Sequence, residues 1–382
     1  MEYKKLKIMT VVGTRPEIIR LSATMKLLDR YTNQIIVHTG QNYDYELNEV
    51  FFEDLELRKP DHFLNVDTSS LGAAIGDIFR KTEEVLNMEK PDALLVLGDT
   101  NSCLSAYMAK RKHIPVFHME AGNRSFDFNV PEETNRRIID HIADFNLVYT
   151  EHARRHLLSE GLPHRRIYLT GSPMKEVLKQ QESQINSSDI LEKLELEKGK
   201  YFVVSVHREE NVDNVDNLEK IINVLNALAK QYEYPIIVST HPRTPKRIEV
   251  FKSDHPSLIT HHSLRFLKPF GFSDYISLQK NAVCTISDSG TISEESSILN
   301  FPAISLRESM ERPEAQDTGS IVLTGFDVDV VINSIETVID QFYRFEIATV
   351  PEDYQIENTS WRVVKLILGN AKLSNGWSGI SK

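Results

Sequence analysis

Across almost the whole of this 382-residue chain, short apolar runs alternate with amphipathic helical patterns. Successive parallel strands need a helical crossover between them, so this alternation builds βαβ units and parallel sheets. In the first half the runs are Lys7 to Val12, Gln34 to His38, Ala93 to Leu97, Val116 to Met119, Asn146 to Tyr149 and Ile167 to Thr170. In the second half they are Tyr201 to Val206, Ile236 to Thr240, Val283 to Ser287, Ala303 to Leu306 and Ile321 to Leu323. Runs apolar on both faces read as strands buried between two helix layers. The expected class is α/β, with two Rossmann-like doubly wound domains facing a cleft. Strand-end residues then become the candidates for function.

The helical segments carry their own signals. Ile18, Leu21, Met25 and Leu28 form one stripe, preceded by Thr14 and Glu17 at capping-box spacing. Leu218, Ile221, Ile222, Leu225 and Leu228 mark a second amphipathic helix, and Trp361, Val364, Leu366 and Leu368 suggest a last one. The polar stretch Gln180 to Lys200 reads as a linker with part of a hinge. It separates a first domain over 1–175 from a second over 176–354, and the tail from Lys372 is expected to be poorly ordered.

Composition excludes several classes. With 55 acidic against 44 basic residues the net charge is −11, a field that repels nucleic acid and anionic lipid. An anionic ligand therefore needs a local cationic pocket. Cys103 and Cys284 lie far apart with no CxxC, so neither a disulfide framework nor a zinc site is implied, and a reducing cytoplasm fits. No cleavable leader is expected, and no apolar stretch approaches the roughly 20 residues that span a bilayer. The absence of G-x-G-x-x-G, G-x-x-x-x-G-K-[ST] and G-x-S-x-G removes support for a dinucleotide cofactor, a P-loop and a nucleophile elbow.

Polar clusters occur where the strands should end. They are Gly13 to Glu17, Gly98 to Ser102, His118 to Asp127 running into Pro131 to Arg137, Ser205 to Asn211, Ser239 to Thr244, Ser287 to Glu295 and Met310 to Ala315. Arg15 suits bidentate phosphate binding; its bland alternative is a surface pair with Glu17. Asp99, Glu120, Glu132 and Glu133 would gather carboxylates on one wall, the arrangement that separates proton donors from acceptors. Singly, Asp99 also reads as a turn residue and Glu133 as a solvated first-turn carboxylate. His207 follows an apolar run, where a structural role is the commoner one. Ser289 and Gly290 precede a helix with Thr291 and Glu294 at capping-box spacing, so open amides there would receive a diphosphate.

Taken together, GTRPE, GDTNS, MEAGNR, PEETNRR, HREEN, HPRT, SDSGTISEE and ERPEA resemble the non-hydrolysing UDP-N-acetylglucosamine 2-epimerase family over nearly the whole chain. The resemblance implies the glycosyltransferase-B-like fold, with UDP on the second domain, the sugar facing the first, and the C-terminal helix over 355–372 crossing back to the first domain. It carries over Asp99, Glu120, Glu132 and His207 as the catalytic set and Arg15 as the phosphate-side arginine. His241, Ser289, Gly290 and Glu295 match nucleotide contacts, with Glu295 on the ribose, and Arg312 lies near the sugar. Arg20, Gln41, Arg136 and Thr291 complete the substrate-contacting set. A homodimer is the family expectation, and no cofactor or metal is implied.

The departures carry information. Where members acting on UDP-N-acetylglucosamine show TGQH, GLRT, a Lys after GTRPEAI and SGG, this chain has Gln41-Asn42, Gly122-Asn123-Arg124-Ser125, Arg20 and Ser289-Gly290-Thr291. These changes resemble the branch that makes UDP-N-acetyl-L-fucosamine from its L-talo C2 epimer for capsule or O-antigen synthesis. Asn42 in place of the TGQH histidine also removes the expectation of allosteric activation by UDP-N-acetylglucosamine. The C2 hydrogen of such a sugar is not adjacent to a carbonyl, so UDP must leave C1 as the proton leaves C2, and two acid/base groups on opposite ring faces are needed. The alternatives are UDP-N-acetylglucosamine 2-epimerisation, a retaining glycosyltransferase, a hydrolysing relative, and a nucleotide-sugar-binding protein without turnover.

Overall fold

The computed structural model describes residues 4–40, 51–206, 211, 214–239, 261–346 and 349–380. The chain divides into two compact units, Met1–Gln180 with Glu352–Lys382, and Gln181–Pro351. Each is built on one parallel sheet. In the first, β1 (Lys7–Val12), β2 (Asn33–His38), β3 (His62–Phe63), β4 (Ala93–Leu97), β5 (Val116–Met119), β6 (Phe145–Val148) and β7 (Ile167–Leu169) lie in the order β3-β2-β1-β4-β5-β6-β7. Met9 of β1 pairs with Ile35 on one side and Leu94 on the other. The order reverses between β1 and β4, and a crevice forms outside the carboxyl ends of strands at such a point.

The second unit repeats the plan. Its strands β8 (Phe202–Ser205), β9 (Ile236–Ser239), β10 (Leu264–Leu267), β11 (Cys284–Ser287), β12 (Ala303–Ser305) and β13 (Val322–Leu323) run in the order β10-β9-β8-β11-β12-β13, reversing between β8 and β11. The edge strands β3 and β10 escape the sequence reading. β3 has only two residues, and β10 is half-buried throughout with Arg265 inside it, so neither shows a continuous apolar run.

The helix Arg15–Tyr31 buries Ile18, Leu21, Met25 and Leu28 completely, and Val215–Tyr232 buries Leu218, Ile221, Ile222, Leu225 and Leu228. Each seals one face of its sheet, and truncating one such leucine costs about 2–5 kcal/mol. The chain returns to the first unit through Thr359–Asn370, a helix packed on Arg15–Tyr31. That docking needs Gly171, at φ +81°, where a Cβ would come within 2.5 Å of Ile356.

Three expectations are corrected. The stretch Gln180 to Lys200 is not a bare linker: helices Glu182–Asn186 and Ile190–Lys193 form there, and Leu191, Leu194 and Leu196 pack with buried Ile190 on Tyr201, Val203 and Leu278. Charged neighbours conceal those apolar side chains in the sequence. The tail is ordered as far as residue 380, with a helix at Ser374–Trp377, because Arg166 lies over the Phe145 and Trp377 rings and donates to Ser374 and Ser378. The last helix faces inward with Val363, Val364 and Ile367, while Trp361 and Leu368 face solvent. No helix among the described residues is long and apolar enough to cross a membrane.

Candidate functional site

In the first unit, polar side chains gather beyond the ends of β1, β4 and β5. Glu17, in the first turn of its helix, is buried and accepts four hydrogen bonds. They come from the amides of Gly13 (2.5 Å) and Thr14 (2.9 Å) and the hydroxyls of Thr100 (2.5 Å) and Ser102 (2.6 Å). Burial pushes its pKa up against these donors. Glu17 thus ties the turn bearing Arg15 to the turn bearing Asp99. The sequence marks it only as a helix cap, since its partners in the turn after β4 are 83 and 85 residues away. Arg15 lies with its guanidinium 5.5 Å from the Phe51 ring centre.

Asp99, Glu120 and Glu133 each meet an arginine. Asp99 accepts from Arg136 Nη2 at 2.5 Å and Nε at 3.1 Å, and Arg136 also donates to Glu133 at 2.6 Å. Glu120 pairs with Arg20 and takes a longer contact from Asn123 at 3.4 Å. Glu120 has φ +63°, and a Cβ on Gly98 would lie 3.5 Å from its Oε2, so it borders the turn that carries Asp99. Glu132 is half-buried in the first turn of the helix Pro131–Ile142.

Glu133 is not the solvated carboxylate that its helix position suggests. It is fully buried and receives the amide and hydroxyl of Ser125, both at 3.1 Å. Burial alone would raise its pKa, but Ser125, Arg136 and Arg137 hold it below the ordinary value. Below this layer lie His118, Arg124 and Asp140, all buried, to which the sequence reading assigns no role. The available signal was His118 itself, a polar residue within an apolar strand.

In the second unit the strand-end groups differ in kind. Asn211, after β8, is buried and donates to Asp288 at 2.9 Å, joining that cluster to the turn after β11. His207, His241 and Gln41 lie outside the described residues. In the turn after β11, the Ser289 amide donates to Ser287 Oγ and the Thr291 amide to Ser289 Oγ. The expectation of open amides is therefore corrected at two of three positions: short hydroxyl side chains already satisfy Ser289 and Thr291.

The capping box at Thr291 and Glu294 is also absent. Thr291 has helical backbone angles (φ −79°, ψ −16°) and no side-chain cap, and Glu294 pairs instead with buried Arg312. Glu295 is buried and accepts from Gln279 at 2.9 Å. Arg307 forks onto Glu311 with two 2.8 Å bonds. Ser289, Gly290, Ser293, Arg307 and Arg312 line one small concavity. Among the described residues no cluster of His, Cys, Asp and Glu is arranged to hold a metal.

Comparison with known proteins bears on this arrangement. A structure titled UDP-N-acetylglucosamine 2-epimerase from Rickettsia bellii superposes with a TM-score of 0.89 at 47% identity, covering 97% of this chain and 98% of that one. The Methanocaldococcus jannaschii UDP-GlcNAc 2-epimerase, solved with UDP-GlcNAc and UDP, gives 0.88 at 33%, covering 96% and 100%. A UDP-N-acetylglucosamine 2-epimerase of Methanococcus maripaludis is 38% identical over 338 residues, 87% of this chain and 92% of its own length. Two parallel-sheet α/β units of the glycosyltransferase-B-like class are common to these structures and this one. The family's sequence profile matches residues 26–368, and the chain belongs to the UDP-N-acetylglucosamine 2-epimerase family.

Proposed function

We propose that the protein interconverts UDP-2-acetamido-2,6-dideoxy-L-talose and UDP-N-acetyl-L-fucosamine. As a member of its family it is an isomerase, a UDP-sugar 2-epimerase. The C2–H bond and the C1–O bond to UDP break in an anti elimination. A carboxylate takes the proton, and UDP leaves with the bonding electrons as a diphosphate anion. UDP then adds back to the 2-acetamidoglycal at C1 while a second acid delivers a proton to the other face of C2. No redox equivalent is consumed.

Asp99, Glu120 and Glu132 are the pool for the two acid/base roles, with His207 completing the catalytic set. Arg15 and Arg20 stabilise the departing diphosphate from the first unit, with Gln41 and Arg136 also contacting substrate. His241, Ser289, Gly290, Thr291 and Glu295 hold UDP, with Arg312 beside them near the sugar. Among the described residues the Gly290 amide has no hydrogen-bond partner, which suits it to a phosphate oxygen at the helix start. The observation that carries the reading is the juxtaposition of Arg20–Glu120 with Arg136–Asp99 beyond β4 and β5. Paired cations hold such carboxylates oriented until substrate competes for the arginines.

The choice of sugar is supported by the departures at Arg20, Asn42, Asn123 and Ser125. The relatives' names favour a second reading, UDP-N-acetylglucosamine to UDP-N-acetylmannosamine. The test is NMR in D2O with each sugar nucleotide separately. An epimer mixture with deuterium at C2 from the 6-deoxy L-talo substrate supports the first reading. Turnover of UDP-N-acetylglucosamine alone selects the second, and absence of C2 exchange with both overturns epimerisation. Activity is expected to survive EDTA. A homodimer in the cytoplasm belongs to the same proposal.

A further inference from the structure

His118 sits on β5, two residues before Glu120, and is wholly buried. Its Nε2 is 2.7 Å from the Gly98 carbonyl oxygen, which can only accept. Its Nδ1 is 3.0 Å from Asp140 Oδ1. Burial would raise the Asp140 pKa, but His118 and Arg124 hold it below the ordinary value, so this carboxylate also only accepts. Nε2 therefore donates its proton to the Gly98 carbonyl, while Nδ1 lies beside Asp140 outside hydrogen-bonding geometry.

The surroundings hold Asp140 in place. Asp140 comes from the helix Pro131–Ile142, and Arg124, from the loop after β5, donates to Asp140 at 2.7 Å. Arg124 is in turn forked onto Glu160 at 2.8 and 2.6 Å. From β6, Asn146 donates to the Asp140 backbone carbonyl. Cys103, in the turn after β4, is buried, and burial with the charges of Asp99, Glu17 and Asp140 keeps its thiol protonated.

The consequence concerns two backbone turns. Gly98, at φ +75°, immediately precedes Asp99, and its carbonyl is the atom His118 holds. Gly122, at φ +81°, follows Glu120 by two residues, and its amide lies 3.2 Å from both Asp140 oxygens. A Cβ at Gly122 would meet the Ala153 carbonyl at 2.4 Å, so this turn has no slack. We propose that buried His118 and Asp140 together form the positioning unit of the site, fixing through Gly98 and Gly122 the directions from which Asp99 and Glu120 reach the sugar. The inference rests on those two carboxylates being the acid/base groups.

The experiment compares His118→Gln, whose amide occupies the Nε2 position, with His118→Asn, whose amide occupies the Nδ1 position. His118→Gln keeps a donor for the Gly98 carbonyl, and His118→Asn loses it. His118→Asn is expected to lower kcat about 10- to 100-fold, the scale of an ångström of misplacement, with KM for the UDP-sugar and Kd for UDP within about threefold of wild type, and His118→Gln to restore most of that loss. A folded His118→Asn variant with kcat within about threefold of wild type overturns the proposal, as do a loss confined to KM and a folded His118→Gln variant as slow as His118→Asn. Nitrogen-15 NMR of histidine-labelled wild-type protein gives an assay independent of variant folding and of turnover. A proton on Nε2 of His118 is expected, and a ring with Nε2 bare overturns the proposal. A wild-type protein without C2 exchange would refute the epimerase reading while this NMR result still stood or fell by itself.

Discussion

The two units share a plan of parallel strands reversing once in order, yet their strand ends carry different chemistry. Beyond β1, β4 and β5 the first unit presents carboxylates matched with arginines, Glu120 with Arg20 and Asp99 with Arg136. Beyond β11 and β12 the second unit presents hydroxyls, a glycine amide and two arginines already engaged by Glu294 and Glu311. The contrast teaches that topology sets where a site forms, while side-chain chemistry decides what happens there. Under the proposed reaction, proton transfer belongs to the first unit and UDP binding mainly to the second, with Arg15 and Arg20 of the first assisting departure of the diphosphate.

The division of labour breaks most visibly at Asp99 and Glu120. Asp99→Asn and Glu120→Gln are expected to slow epimerisation by about 10²- to 10⁴-fold, the usual worth of a positioned acid or base. Kd for UDP, measured by calorimetry, should stay within a few fold of wild type. Comparable loss of UDP affinity in both variants would erase the distinction between units.

Arg312→Ala tests the second unit from the opposite side. It removes the arginine from fully buried Glu294, and removal of one partner from such a pair costs about 3–5 kcal/mol of stability. Denaturant unfolding should show that loss together with weaker UDP binding. Unchanged stability would mean the pair is not buried as described.

A gentler probe is Gly290→Ala. The added methyl would lie no closer than 3.7 Å to Arg312 and 3.8 Å to Glu311, ordinary contact distances, so the fold should tolerate it. A ligand phosphate at the Gly290 amide would be crowded, and UDP affinity is expected to fall about tenfold, near 1.4 kcal/mol. An unchanged Kd would remove that amide from the phosphate site.

The smallest effect concerns acid. Glu133, Asp140 and Glu160 have folded pKa values below their ordinary ones, Glu160 chiefly through its bonds to Arg124. Their stabilisation is present above the ordinary carboxylate range and is lost as pH falls through the lowered values. Glu17, raised by burial, acts in the opposite sense, its contribution fading as pH rises through its folded value. With Asp77 and Glu89 lowered as well, these groups outweigh Glu17 and predict net weakening of the first unit below about pH 4. Trp361 and Trp377, the chain's two tryptophans, both lie in that unit, so their fluorescence reports it directly.

Local pattern alone made much of this molecule legible. β1, β4 and β5 end where their apolar runs end, and the polar clusters after them stand at the strand ends. The alternation of doubly apolar strands with striped helices leaves few other ways to bury so much surface, so it determined the α/β class and the placement of the candidate residues. What it left open depended on which groups the fold brings together. Glu17 looked like a cap until Thr100 and Ser102 were beside it, and Glu133 like a surface acid until Ser125 and Arg136 enclosed it. Thr291 and Glu294 had the spacing of a cap, but Arg312 took the glutamate. A charged group's role is set by the charges and donors around it in space, and sequence spacing does not report how backbone and side chains turn toward them.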